Sequence, residues 1–435
     1  MSIDPRDLRP EARDALADRE RDGAEGDNAA ADDAGRDAAP DSASLDRIAT
    51  RRRQHPLPKL ADPAAPLLEV TDLKAHFRLE RGWVRAVDGV SFRLNDGEAL
   101  GLAGESGCGK TTTALSLVQL LPANGRIRGG RVELFGIDLV PKSETALRRY
   151  RWREISIVFQ GAMNALNPVR RVRDQIAEPI QVRMGETQST SLARAGDLLE
   201  LVGIPKRRGG AFPHELSGGM RQRAMIAMAL ACDPAVVIGD EPTTALDVMV
   251  QAQILQLLEQ LRRDLGLSLI LITHDLSVIA ETCDKVLIMY AGRVAEEGPV
   301  SRVFTAPRHP YTQKLLSSFP NIRADRRTLD VIPGQPPDLR DPPPGCRFAP
   351  RCPFAMDICR EVVPPEVRFA DGVRVACHLY PNADAPIASQ VVPAAIVGAN
   401  APVMVGGAAG AGGGAVTAPA AMTASVAPGA SGGRP

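Results

Sequence analysis

The stretch "EALGLAGESGCGKTTT", residues 98–113, decides the fold of this chain. It begins as an apolar strand-like run, passes through a loop with glycines at positions 104, 107 and 109, and continues with a helical pattern after Lys110. Glycines allow consecutive backbone N–H groups to point inward, and the following helix adds about half a unit of positive charge at its N-terminus. The pattern therefore predicts an α/β protein with a nucleotide phosphate site at this loop.

Residues 104–111, which we call the phosphate loop, carry the groups that such a site needs. Lys110 is expected to bridge the outer phosphates, and the Thr111 hydroxyl is expected to bind Mg²⁺. Cys108 lies near the helix N-terminus, where a thiol pKa tends to fall, but a small filler of a variable position is the preferred interpretation. We assign nucleotide binding to Gly104, Glu105, Ser106, Gly107, Cys108, Gly109, Lys110, Thr111 and Thr112.

Two acidic residues follow a second apolar strand, "AVVIGDEP", residues 235–242. An acidic pair after a buried strand is often only a solvated strand end. With a phosphate loop upstream, Asp240 is instead predicted to hold hydrated Mg²⁺, and Glu241 to polarise the attacking water.

The sequence "LSGGMRQR", residues 216–223, predicts a second anion-binding helix N-terminus. We call Ser217, Gly218 and Gly219 the signature turn. One chain needs one such cradle for its own nucleotide. The additional one predicts a partner chain whose nucleotide this turn completes.

Together these motifs resemble the ATP-binding subunits of ABC transporters over about Leu67–Tyr380. The resemblance implies a RecA-like sheet, an antiparallel β subdomain and an inserted helical subdomain. It also implies that "VFQ" supplies the Q-loop glutamine Gln160, a further Mg²⁺ ligand, that "TTALD" is the D-loop with Asp247, and that "LITHD" presents the switch histidine His274. Phe77 is the favoured adenine-stacking aromatic, with Trp83 as its rival.

The family mechanism implies two ATPase subunits arranged head to tail. Each ATP lies between one phosphate loop and the opposite signature turn. Glu241 orients water, His274 contacts the γ-phosphate, and Gln160 senses Mg²⁺ and water. The partner is an identical chain or a sister subunit, and the helical subdomain would dock on two transmembrane permease subunits.

After the ATPase motifs, "PRHPYTQKLLSSFP", residues 307–320, resembles the C-terminal extension of oligopeptide and dipeptide importer ATPases. The resemblance implies ATP-driven uptake of peptides delivered by an extracytoplasmic solute-binding protein, with this chain at the cytoplasmic face of the membrane. Related systems carry nickel chelates or glutathione. A non-transport ABC ATPase is disfavoured because one phosphate loop, one signature and no long heptads occur.

Four cysteines, Cys346, Cys352, Cys359 and Cys377, cluster in the same extension, separated by five, six and seventeen residues. Disulfides are disfavoured in a reducing cytoplasm. The spacing matches neither paired zinc knuckles nor the ferredoxin pattern, so it leaves the metal open. The resemblance favours a 4Fe-4S cluster over zinc, since several peptide-importer ATPases fold this extension around such a cluster. His378 is a candidate substitute ligand, but more plainly a bystander.

Composition predicts a folded centre between two tails. Lys plus Arg equals Asp plus Glu at 52 each, so no general attraction to nucleic acid is expected. No secretory signal or membrane anchor is recognisable. We predict the following divisions: a disordered charged tail at 1–65, an ABC ATPase domain at 66–300 with its helical subdomain at about 163–232, the metal-binding extension at 301–382, and a disordered low-complexity Ala/Gly-rich tail at 383–435.

Overall fold

The computed structural model describes residues 42–54, 57–80, 82–161, 165–244, 246–318 and 332–384. The strands are β1 Leu68–Arg78, β2 Trp83–Leu94, β3 Ala99–Ala103, β4 Gly125–Leu134, β5 Ile137–Asp138, β6 Ile155–Val158, β7 Val236–Asp240, β8 Ser268–Ile272, β9 Lys285–Tyr290, β10 Arg293–Pro299, β11 Glu366–Arg368 and β12 Arg374–Ala376. The helices are α1 Ser42–Gln54, α2 Lys110–Leu117, α3 Glu144–Leu147, α4 Val172–Met184, α5 Gln188–Leu201, α6 Gly218–Ala229, α7 Val248–Leu265, α8 Leu276–Thr282, α9 Val300–Val303, α10 Pro310–Ser317 and α11 Ile358–Glu361.

The larger sheet has the strand order β11-β12-β10-β9-β3-β8-β7-β6. Strands β6, β7, β8, β3 and β9 run parallel to one another, and β10 pairs antiparallel with β9. Every residue of β3, β7 and β8 is buried, as expected for parallel strands covered on both faces. Because parallel strands end on the same side of a sheet, the segments that follow β3, β7 and β8 meet there.

The smaller sheet is antiparallel, with the order β2-β1-β4-β5. Its apolar side chains share one core cluster with the larger sheet and with α2, including Val90, Leu102 and Leu117. Helix α2 therefore lies in apolar surroundings, which fixes the phosphate loop at its N-terminus.

Helices α4, α5 and α6 lie in the part of the chain where the sequence predicts a helical subdomain. Apolar residues at three-to-four spacing in α4 and α5 are buried, among them Ile176, Ile180, Leu198 and Leu201. Arg194 and Asp233, both almost fully buried, form an ion pair of 2.8 Å that links α5 to the segment before β7.

Helix α1 corrects the prediction that residues 1–65 form a disordered tail. Ile48 is 3% exposed and packs in the same core as α5. Arg47 is paired with Asp197 at 2.9 Å, and Arg51 with Glu186. A few side chains spaced three to four residues apart thus provide enough contact to order this helix against the domain.

The C-terminal extension joins the larger sheet. Strand β12 pairs antiparallel with β10, and β11 pairs antiparallel with β12. Arg374 makes ion pairs with Glu297 of β10 and Glu366 of β11. The extension is therefore joined to the ATPase core by backbone hydrogen bonds between strands and by ion pairs.

Residues 1–41 and 385–435, which hold most of the two predicted tails, lie outside the described residues. Within the part of the chain that the structure describes, helices are too short or too polar to cross a bilayer.

Candidate active site

The phosphate loop connects β3 to α2, as the sequence predicts. Lys110 is the first residue of α2 and is 7% exposed. Its ammonium donates hydrogen bonds to the carbonyl oxygens of Gly104 at 2.8 Å and Glu105 at 3.1 Å. The lysine ammonium is therefore held against the backbone of the phosphate loop.

Close backbone contacts explain one essential glycine of this loop. Gly104 has a φ of +145°, and a Cβ at this position would lie 2.1 Å from the carbonyl oxygen of Met289. Cys108 is 3% exposed, and burial raises the pKa of its thiol although the Lys110 ammonium acts in the opposite direction. This environment agrees with a small buried filler at Cys108 rather than a reactive thiol.

Thr111 and Asp240 bring the phosphate loop together with the end of β7. The Thr111 hydroxyl donates a hydrogen bond to Asp240 Oδ1 at 3.1 Å. Burial raises the pKa of Asp240, and the Thr111 hydrogen bond opposes that shift. A hydroxyl and a carboxylate this close supply the oxygen ligands that Mg²⁺ prefers.

Three side chains converge on Glu241, which directly follows β7. Its Oε2 accepts hydrogen bonds from Gln160 Nε2 and from the Thr244 hydroxyl, both at 2.9 Å. His274 Nδ1 lies 3.8 Å from the same oxygen, and the His274 side chain is 73% exposed. The hydrogen bonds from Gln160 and Thr244 orient the carboxylate, with His274 nearby, and an oriented carboxylate can direct a water molecule.

Thr244 was not identified from the sequence. The available signal was its position, three residues after Glu241 in the turn that follows β7. In a tight turn, a hydroxyl side chain three residues after a carboxylate can donate a hydrogen bond to it.

The signature turn forms the N-terminus of α6. Ser217 is exposed, and its Oγ accepts a hydrogen bond from the Met220 N–H at 3.2 Å. A Cβ on Gly219 would lie 2.7 Å from Val250 Cγ1 of α7. Asp247 caps α7 by accepting from the Val250 N–H at 3.0 Å, so the signature turn and the D-loop pack on each other.

Phe77 and Trp83, the two candidates for adenine stacking, lie at the same end of the β1–β2 hairpin. Phe77 is opposite Val84, and Arg78 is opposite Trp83. The Arg128 guanidinium lies 4.9 Å from the centroid of the Trp83 ring. Among the described cation–π pairs, Arg128 contacts the ring of Trp83 and not that of Phe77. Phe77 therefore remains the predicted stacking residue.

The four cysteines of the extension are free thiols. The Cys346 N–H donates to the Cys359 carbonyl oxygen at 2.7 Å. Burial raises the pKa of Cys346, of Cys352 to about 11 and of Cys377 to about 12, and the other thiols of the group add to each shift. His378 contacts the Val362 carbonyl oxygen instead.

Within the described ranges, no group of three or more His, Cys, Asp or Glu side chains is arranged to hold a metal ion. The sequence expectation of a formed metal site is therefore not confirmed.

A parallel sheet with a lysine-bearing phosphate loop after one strand and a paired Asp-Glu after another defines a nucleotide hydrolase of the phosphate-loop class. The family model for ABC transporters matches residues 87–244, and a model described as "Oligopeptide/dipeptide transporter, C-terminal region" matches residues 295–359.

Several known proteins are similar to this chain. A probable peptide ABC transporter ATP-binding protein of Sinorhizobium fredii is 49% identical over 315 residues, covering 72% of this chain and 94% of the relative. A relative from Brucella melitensis, whose name describes peptide import ATP-binding, is 48% identical over 314 residues, covering 69% and 93%. A solved bacterial ABC transporter cassette, MJ0796, has 26% identity and a TM-score of 0.49, covering 54% of this chain and 98% of the cassette. The chain belongs to the family of ABC transporter ATP-binding proteins.

Proposed function

We propose that this chain is the ATPase subunit of an importer and hydrolyses ATP to drive the uptake of di- and oligopeptides through separate permease subunits. The convergence of Gln160, Thr244 and His274 on Glu241 carries the ATPase assignment. The match of residues 295–359 to the oligopeptide/dipeptide transporter region supports the peptide cargo, as do the names of the relatives.

The chain's own side chains account for the proposed chemistry. Lys110 and the phosphate-loop N–H groups would bind the ATP phosphates, and Thr111, Asp240 and Gln160 would hold Mg²⁺, whose charge offsets that of the phosphates. Glu241 would orient water toward the γ-phosphate, and the exposed His274 would contact that phosphate.

The exposed Ser217 of the signature turn supports a head-to-tail pair of ATPase subunits. Ser217, Gly218 and Gly219 would complete the nucleotide site of the partner, which is an identical or a sister chain. Such a pair would bind two permease subunits at the cytoplasmic face of the membrane. A solute-binding protein on the other side would deliver the peptide.

The substitution Glu241→Gln tests the ATPase assignment. We expect ATP binding to persist and phosphate release to fall by about 100-fold or more, because the amide cannot accept a proton from the attacking water. Glu281→Gln, at an exposed position on α8, serves as the matched control and should hydrolyse ATP at the wild-type rate. Hydrolysis by Glu241→Gln at a rate close to that of the control would remove Glu241 from this role.

Reconstitution tests the cargo. The chain would be placed with its permease and binding protein in vesicles, and ATP hydrolysis measured with the binding protein loaded with a dipeptide, an oligopeptide, a nickel chelate or glutathione. Stimulation by the peptides alone supports the proposal. Stimulation by a chelate or by glutathione alone would replace the peptide assignment.

We also propose that Cys346, Cys352, Cys359 and Cys377 hold a metal centre, with a 4Fe-4S cluster preferred over zinc. The clustering of all four cysteines in one short extension supports the assignment, as does the backbone hydrogen bond that brings Cys346 next to Cys359. Oxygen-free purification followed by metal analysis and visible absorption would decide between the metals. Cys352→Ser should lose the metal while the isolated Cys283→Ser retains it, and a wild-type protein without iron or zinc would refute both versions.

A further inference from the structure

Arg351 reaches from the C-terminal extension to the phosphate loop. Its side chain is 5% exposed and lies next to Cys352 in the sequence. Nη1 donates to Glu105 Oε2 at 2.6 Å, and Nη2 donates to Glu105 Oε1 at 2.9 Å. This is a bidentate arginine–carboxylate pair, which is the strongest common form of ion pair and restricts the orientation of both partners.

The guanidinium of Arg351 is itself held by neighbouring oxygens. Nε donates to the Pro333 carbonyl oxygen at 2.8 Å, and Nη1 also lies 3.1 Å from the Tyr290 hydroxyl. Because these contacts hold the guanidinium group, its two terminal nitrogens are fixed in position relative to the Glu105 carboxylate.

A second residue of the extension holds the backbone of the same glutamate. The Tyr311 hydroxyl accepts a hydrogen bond from the Glu105 N–H at 2.8 Å. Tyr311 is fully buried, with its ring centroid 4.6 Å from that of Tyr290 and 5.4 Å from that of Phe348. Close-packed aromatic neighbours keep the hydroxyl in one position.

All three hydrogen-bonding parts of Glu105 are therefore engaged. Arg351 binds its carboxylate, Tyr311 binds its N–H, and Lys110 binds its carbonyl oxygen. Glu105 lies between Gly104 and Gly107, where the backbone would otherwise have many accessible conformations. Fixing this residue restricts the segment that must present N–H groups to phosphate.

We propose that Arg351 and Tyr311 are positioning residues that preorganise the phosphate loop through Glu105, so that the folded C-terminal extension sets the affinity for nucleotide. This inference rests on the proposed ATP-binding function. It assigns the extension a role in the ATP site in addition to any metal that its cysteines hold.

The test is a double-mutant cycle on the full chain, with Arg351→Gln, Glu105→Gln and the combined variant. The Kd for Mg²⁺ and a fluorescent ATP analogue would be measured together with kcat and the thermal midpoint. We expect each single variant to weaken binding by about tenfold, because a charge-assisted pair is lost, and the combined variant to be no weaker than either single variant. The loss should fall mainly on Kd rather than on kcat at saturating ATP, because the pair acts on binding.

Tyr311→Phe and Arg351→Lys are second variants that perturb the fold least. Deleting the tyrosine hydroxyl should weaken nucleotide binding by about threefold, because the Glu105 N–H loses its acceptor. Lysine keeps the positive charge but cannot form the bidentate pair, so Arg351→Lys should bind nucleotide more tightly than Arg351→Gln and less tightly than the wild type. Arg368→Gln, an exposed arginine on β11, is the matched control and should bind as the wild type does.

The outcomes separate the two proposals. If the wild type binds the analogue and the Arg351, Glu105 and Tyr311 variants bind equally well, the positioning role is refuted whatever happens to the thermal midpoint. Additive losses in the cycle would also refute it, since the two side chains would then act independently. Failure of the wild type to bind would instead refute the ATP-binding function. If Arg351→Gln does not fold, Tyr311→Phe and Glu105→Gln decide the question.

Discussion

Gly109, the residue of the phosphate loop just before helix α2, has a φ of +106°, and a Cβ at this position would lie 2.3 Å from the carbonyl oxygen of Ala86. A side chain there would force the loop away from β2. Gly97 also has a positive φ, +70°, but a Cβ on it would meet nothing within 4 Å. Substituting Gly97 would therefore introduce backbone strain alone, whereas substituting Gly109 would introduce both strain and a steric clash.

Gly109→Ala should reduce the affinity for ATP by about tenfold or more, because both strain and a backbone clash displace the loop. Gly97→Ala should destabilise the fold by about 1 kcal/mol and leave the affinity unchanged, because only strain applies. Isothermal titration with ATP and Mg²⁺, alongside urea unfolding, measures both quantities. Equal effects of the two substitutions on affinity would show that the approach to Ala86 is unimportant.

At the level of single residues, the sequence predicted those functional side chains that belong to short contiguous motifs. Thr111 contacts Asp240 and Gln160 contacts Glu241, so residues that the sequence assigned to one site lie together, while their roles stay predictions. Arg351 was not identified, because it is 246 residues from Glu105 and follows no periodic pattern. Long-range side-chain pairs of this kind depend on tertiary packing, which spacing does not encode.

Among the secondary-structure elements, the fully apolar strands and the amphipathic helices were the most predictable. Helix α1 was missed because its segment contains only a few apolar side chains, such as Leu45 and Ile48, among charged residues. Its order comes from contacts with α5, including the ion pair of Arg47 with Asp197. Composition measures apolar content alone and so underestimates a helix held largely by charge.

Strand β6 begins next to a buried carboxyl group. Glu154 is 8% exposed, and its Oε2 has no hydrogen-bond partner in the described part of the chain. Burial raises its pKa from 4.5 to about 7, against the opposing effect of Arg153. The folded protein therefore favours the protonated form more strongly than the unfolded chain does.

Glu154→Gln should change how stability depends on pH. In the wild type, the contribution of Glu154 is most favourable below pH 4.5 and is lost as the pH rises through about 7, because the folded state must then bury a charge. The neutral glutamine removes this loss, so the variant should gain stability relative to the wild type above pH 7. Urea unfolding across this range measures the difference, with Glu281→Gln as the exposed control. A constant difference between wild type and variant at all pH values would contradict the assignment.

For the whole molecule, the ordered motifs predicted an ABC ATPase fold, and the family match supports it. The union of the extension with the larger sheet was not predicted. Strands β11 and β12 have three residues each and include Glu366, Arg368 and Arg374. Such short, charged segments carry no strand periodicity, and their pairing defines them: β12 pairs with β10, and β11 pairs with β12.

Ser217→Arg tests the arrangement of two chains. In the hydrolysis-deficient Glu241→Gln background, ATP should produce a dimer, and arginine in the exposed signature turn should prevent it by bulk and by loss of the helix cap. Binding of ATP to each monomer should persist, because the phosphate loop is untouched. Analytical ultracentrifugation with and without ATP measures the dimer, and Ser301→Arg, exposed on α9, is the control. An ATP-dependent dimer of Ser217→Arg as stable as that of the control would refute the head-to-tail model.

The pairing of β12 with β10 has a consequence for self-association. Strand β12 pairs with β10 at Glu296 and Glu297, and without it the backbone groups of β10 there would be open at the border of the sheet, which is a template for strands of other molecules. With it, the border becomes β11, a three-residue strand with exposed Glu366 and Arg368. A chain shortened to end near residue 300 would therefore tend to aggregate through β10. In the full chain, pairing with β12 of the extension occupies this edge of β10 and so opposes aggregation.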